Sequence, residues 1–98
     1  MEINDLMDKL GPLGYRLGSQ GEIKKSLVYL DACDLECFVK APLEDIPLML
    51  VSPAAARLFP CVDFEGGSEI SDESFEWFHA DFLVPIIYAV LEVRTHAA

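Results

Sequence analysis

The sequence predicts an α+β fold: a small single domain, residues 1–98, with an antiparallel sheet of three to four strands packed against an N-terminal helix, a short central helix and a longer C-terminal helix. Three observations point there. Apolar residues recur at helical spacing near both ends of the chain and in strand-like runs between them. No linker, repeat or low-complexity tract divides the chain. Its 52% hydrophobic residues against 24% charged ones supply one core and lie far from the composition of a disordered chain.

Taken in order, Ile3, Leu6, Met7 and Leu10 have the i, i+3, i+4, i+7 spacing of an amphipathic helix, from about Glu2 to Leu10, and Gly11-Pro12 stops it. Leu13 to Gly21 is glycine-rich and reads as a loop with a brief extended piece at Tyr15-Arg16-Leu17. It has neither the G-K-[ST] ending of a phosphate-binding loop nor the G-x-G-x-x-G order. Ser26 to Asp31 and Leu35 to Ala41 have strand composition and are expected to form a hairpin through Ala32-Cys33-Asp34, with Leu35, Cys37 and Val39 on its apolar side. Pro47 to Val51 is continuously apolar and fits a buried strand. Ser52 as N-cap and Pro53 at the first helical position open a short helix that ends at Pro60. Cys61 to Phe64 reads as a fourth strand and Glu65 to Glu69 as a loop.

The C-terminal third begins with Ser71 as N-cap and with Asp72 and Glu73 in the first turn, where the helix dipole favours anions. A helix over residues 72–83 places Phe75, Phe78, Phe82 and Ile86 on one face with His79 at its edge. Glu73, Glu76, Trp77, Ala80, Asp81 and Val84 then fall on the other. Pro85 kinks or restarts the helix, and Ile86 to Val93 continues it, with a closing strand as the alternative. The phenylalanine face is expected to pack on the sheet, with Leu30, Val39, Leu48 and Leu50 contributing from strands.

Charge is distributed unevenly. Between Phe59 and Val93 stand eight carboxylates (Asp63, Glu65, Glu69, Asp72, Glu73, Glu76, Asp81 and Glu92) and no Lys or Arg, whereas residues 1–58 hold nine acids and six bases. A net charge of -10 argues against anionic lipid and against direct binding of nucleic acid, since both are captured by clustered Lys and Arg. The longest apolar stretch, Phe82 to Leu91, is broken by Pro85 and falls short of the roughly twenty residues a bilayer requires. The first ten residues lack the pattern of an export signal, so a cytoplasmic location is expected.

Candidates for catalysis are few. Cys33, Cys37 and Cys61 are expected to be reduced, buried and metal-free, because Cys33-x3-Cys37 with Cys61 and His79 lacks the paired knuckles of a zinc site. The stretch DFEGGSEISDE departs from the calcium-loop pattern in spacing and closing Glu. His79 lies beside phenylalanines and reads as a packed core-edge residue, while His96 sits near the end of the chain. Hence no enzyme and no cofactor are expected.

The remaining feature is Trp77, placed by helical geometry among Glu73, Glu76 and Asp81. An aromatic anchor inside a charged rim is how binding surfaces concentrate energy, and carboxylates steer a Lys/Arg-rich partner toward them. The sequence therefore predicts a small acidic protein-binding inhibitor that acts through Asp63, Glu65, Glu69, Asp72, Glu73, Glu76, Trp77 and Asp81. Its partner would be a basic protein, such as a nuclease or another nucleic-acid-binding protein whose phosphate sites the carboxylates occupy. Phage anti-defence proteins, anti-CRISPR proteins among them, and bacterial immunity proteins provide the analogy, one of charge and size alone. The alternative is a chaperone or assembly adaptor that binds through an apolar surface, as a homodimer through Phe38, Trp77 or the C-terminal apolar run.

Overall fold

The longest element sets the arrangement of the others. A computed structural model of the protein describes residues 3–62, apart from the Cys61 side chain, and 71–96. Within these, a continuous 25-residue helix, Asp72–His96, runs through the core. Ahead of it come α1 (Ile3–Leu10), the strands β1 (Arg16–Leu17), β2 (Ile23–Lys25) and β3 (Val28–Leu30), then α2 (Ala32–Lys40) and the short helix α3 (Pro53–Ala56). The long helix is α4. Leu43–Asp45, Pro47–Leu50 and Pro60–Val62 form single 3₁₀ turns. The fold is α+β with a three-stranded antiparallel sheet in the order β1-β2-β3, in register at Arg16 with Lys24 and at Lys24 with Tyr29.

The helix α1, the extended piece at Arg16–Leu17, the Ser52 and Ser71 caps and the helical course of residues 86–93 match expectation. The predicted hairpin does not. Its second arm is α2, because the Asp31 carboxylate accepts a hydrogen bond from the Asp34 amide at 2.8 Å and so caps a helix just where a turn was expected. Leu35 and Phe38, three residues apart, form its buried face, and the apparent strand alternation through Val39 is incidental. Pro47 to Val51 is likewise a 3₁₀ turn. Ile46 and Met49 point inward at that three-residue period, leaving Leu48 49% and Val51 72% exposed. Leu48 is thus no core residue, and Val39 and Leu50 are only partly buried, while Leu30 is fully buried as expected. The strand and loop expected over Cys61 to Glu69 lie outside the described residues beyond Val62, which sits in the last 3₁₀ turn.

Inside α4 an α-helical stretch (Asp72–Trp77) passes through a π-helical one (Phe78–Leu83) into a second α-helical stretch (Val84–His96). The cause is a spacing in the sequence. Phe75, His79, Leu83 and Ile87, and beside them Phe78, Phe82, Ile86 and Val90, step by four residues, and all eight are buried. A turn of about 3.6 residues would rotate such a row steadily out of the core. The wide i→i+5 turns before Pro85 hold it in place.

Pro85 has no N–H to donate to the turn behind it. Its acceptor there would be the Asp81 carbonyl, which the Tyr15 hydroxyl approaches at 3.4 Å while donating to the neighbouring Phe82 carbonyl at 2.7 Å. Arg94, near the far end of α4, donates to the carbonyls of Ala41 at 2.6 Å and Phe38 at 3.3 Å, closing the C-terminal end of α2 where a cation also suits the dipole. Lys9 of α1 pairs with Glu92 of α4 at 2.8 Å. By length and composition α4 could cross a bilayer, but half of its apolar window is packed inside the fold, as in a core helix.

Candidate interaction surface

The outer face of the first half of α4 is built from its cap onward. The Ser71 hydroxyl accepts from the Ser74 amide at 3.2 Å, and Asp72 and Glu73 follow at the positive end of the helix. Phe75, Phe78, His79 and Phe82 turn inward, with Phe78 and Phe82 stacked at 5.1 Å between ring centroids. Asp72, Glu73, Glu76, Trp77, Ala80 and Asp81 turn outward and are exposed. Five of the eight sequence-predicted site residues are therefore brought onto one helix surface; Asp63, Glu65 and Glu69 lie outside the described residues.

The carboxylates are not equivalent. Asp72 faces the Arg57 guanidinium at 3.5 Å, and that guanidinium also lies over the Phe75 ring, 4.1 Å from its centroid. Asp81 adjoins Tyr15, whose phenol is pushed up to about 12, chiefly by burial and secondarily by the Asp81 charge. Glu73 and Glu76 form no ion pair with any described residue and are the carboxylates most open to a partner's cation. Between them and Asp81 stands Trp77, 54% exposed.

His79 is a core residue. Only 5% exposed, it places Nε2 2.7 Å from the Met49 carbonyl, which can only accept, so Nε2 carries the proton and ties the 3₁₀ turn to α4. The expectation of buried thiols is overturned at two positions: Cys33 and Cys37 are free and exposed. Both stand on the side of α2 away from Leu35 and Phe38, because capping by Asp31 turns a supposed strand into a helix with different facing residues. They line a groove of about 430 Å³ together with Glu36, Lys40, Met49 and Phe59. Among the described residues no group of three or more His, Cys, Asp and Glu side chains is placed to hold a metal ion.

Sequence reasoning missed this groove. The D-x-x-D start at Asp31 and the i, i+3 pair Leu35/Phe38 were the signals that could have found α2 and, with it, the outward thiols. Comparison with protein-family models, curated proteins and solved structures found no match.

Proposed function

We propose that this protein is a binding protein without catalytic activity: an acidic inhibitor whose α4 outer face docks on a basic surface of another protein. The supporting observation is Trp77. Its indole stands half in solvent while Phe75, Phe78 and Phe82 of the same helix are buried, and it is flanked by Glu73, Glu76 and Asp81. A large aromatic group left wet inside a rim of one charge gives a partner both desolvated contact area and long-range attraction. Carboxylates one helical turn apart on a rigid element can occupy Lys/Arg sites built for phosphates, so a nuclease or another nucleic-acid-binding protein is the proposed partner class. Inhibition of the anti-defence or immunity-protein kind, anti-CRISPR proteins included, is the corresponding role, and it places the protein in the cytoplasm.

The test is capture from native lysate at low and high salt, followed by kinetics with the captured protein. Reversing Glu73 and Glu76 to Lys is expected to slow association about tenfold or more and to leave dissociation and folding nearly unchanged. Trp77→Ala should instead speed dissociation by roughly thirtyfold, the equivalent of about 2 kcal/mol. Unaltered binding by both variants would reduce the acidic face to a solubility coat.

A second reading draws on exposed apolar side chains elsewhere. Leu58 is 83%, Val51 72% and Leu48 49% exposed around the 3₁₀ turns and α3, as an assembly adaptor or a homodimer contact would require. Phe38, expected at such a contact, is fully buried and is removed from it. An apolar complex would survive the salt that dissolves a charge-led one.

A further inference from the structure

We infer that the groove beside α2 is a binding site for a small organic cation, a protonated amine on an apolar body, with the Asp45 carboxylate as its anchor. The groove encloses about 430 Å³, within the roughly 300–1,000 Å³ of small-ligand clefts. Its walls come from three parts of the chain: the outward side of α2, residues 41–49, and Phe59 with Pro60 after α3.

The charges in the groove decide the sign of the ligand. Asp45 is partly buried in its wall and forms no ion pair with any described residue. Glu36 and Lys40 already pair with each other at 2.6 Å and cancel. One negative charge is left over in a mostly apolar setting, where a carboxylate drawn from water without a partner is costly. A cation seated against Asp45 removes that cost.

The apolar lining decides the kind of cation. A hard metal ion needs several oxygen ligands, and among the described residues no group of three or more His, Cys, Asp and Glu is placed to hold one. A neutral apolar molecule leaves Asp45 unpaired, and an anion is repelled by it. An alkylammonium satisfies both features: its N–H donates a charge-assisted hydrogen bond to the carboxylate while its body covers Ala41, Pro42 and Phe59. A single cleft of this size suits a free small molecule, whereas a protein partner requires a broader contact.

The walls are held in place before any ligand arrives. Arg94 donates to the Ala41 carbonyl at 2.6 Å, the Asp45 amide donates to the Pro42 carbonyl at 2.9 Å, and the Met49 carbonyl accepts from His79 Nε2 at 2.7 Å. Preorganisation of this kind lowers the cost of ordering a site on binding. The thiols of Cys33 and Cys37 need not touch the ligand; exposed on the same wall, they report its presence.

The experiment is titration of the full chain with hexylammonium, followed by amide NMR, in a Cys61→Ser background so that the third thiol plays no part. Hexanol and hexanoate supply the same body with no charge and with the opposite one. Hexylammonium is expected to bind at one site about tenfold tighter than hexanol, and hexanoate more weakly than either. Butylammonium, two methylenes shorter, should lose about tenfold. Asp45→Asn, nearly isosteric, should lower hexylammonium to the affinity of hexanol. Glu44→Gln removes the same charge one residue away, at an exposed position outside the groove, and should change binding by no more than about twofold. Bound hexylammonium should also slow alkylation of Cys33 and Cys37 by iodoacetamide. Equal affinity for hexylammonium and hexanol, binding unaffected by Asp45→Asn or weakened as much by Glu44→Gln, or alkylation undiminished at saturation would each overturn the site. The amide spectrum of each variant separates loss of ligand from loss of fold, and the three parent titrations stand whether or not a variant folds.

Discussion

The long helix α4 and the three-stranded sheet are both regular structure, yet they hold the molecule together to very different degrees. Ten residues of α4 are buried (Phe75, Phe78, His79, Phe82, Leu83, Ile86, Ile87, Ala89, Val90 and Val93), whereas the strands bury Ile23 and Leu30 and β1 buries nothing. Each large apolar side chain taken out of water contributes about 1.5–3 kcal/mol, so the balance of stabilisation lies with the helix. Strands of two and three residues are too short to be stable alone. The fold is α+β by content, but its core is one of helices and 3₁₀ turns, to which the sheet adds two side chains and a mostly wet outer surface.

The sharpest way to break that contrast is Phe82→Ala. Phe82 is 1% exposed, stacks on Phe78 and meets Tyr15 at 5.5 Å between ring centroids. Truncation is expected to cost about 3–5 kcal/mol, a large share of a small domain's stability. Urea unfolding measures it. A loss below about 1 kcal/mol would mean that α4 is not the main source of stability.

Tyr15 joins the two regions, and it ranks second. Its hydroxyl donates to the Phe82 carbonyl of α4, while Lys25 of β2 lies over its ring at 5.0 Å. Tyr15→Phe removes that hydrogen bond and should cost about 1–2 kcal/mol. Titration gives a second readout. Burial and the neighbouring Asp81 push the Tyr15 phenol up to about 12, against about 10 in an unfolded chain. The folded state therefore keeps a proton that the unfolded state has released. The associated stability is complete below pH 10 and is lost as pH rises from about 10 to 12, to the extent of about 1–3 kcal/mol. Urea midpoints at pH 8 and pH 11 should differ more in the parent than in Tyr15→Phe. An equal drop in the two would place the phenol in solvent and sever the link between sheet and helix.

The same contrast explains what could be read from the sequence. The inward set of α4 and its outward Glu73, Glu76, Trp77 and Asp81 were legible because ten or more residues repeat one pattern, and Ser71 marks its start. Its π-helical stretch was legible in principle, as a four-residue step in place of the helical one, but Pro85 invited a kink instead. From Asp31 to Val51 the apolar runs are short, and short runs do not separate strand from helix or 3₁₀ turn. Local chemistry decided there: the Asp31 cap made α2, and Ile46 and Met49 made a three-residue period. The candidate acidic face followed from the well-read region. The thiol groove, lying in the misread one, did not.

The smallest effect belongs to the sheet itself. Ser26 and Leu27 are the two residues between β2 and β3, with Lys25 paired to Val28 across the turn. Ser26 has φ 58, in the left-handed region that side chains disfavour and that tight hairpin turns reserve for glycine. Ser26→Gly relieves that strain but gives the unfolded chain more freedom to lose, so the two effects oppose each other. The left-handed cost is the larger, and a net gain of about 0.5–1 kcal/mol is expected in urea unfolding. That gain should appear in full only if the hairpin unfolds together with α4. Leu27, 98% exposed at the same turn, contributes no packing that would mask it. If amide exchange in β2 and β3 slows while the global midpoint stays put, the hairpin opens independently of the helical core, and the sheet is a separate, weaker unit resting on it.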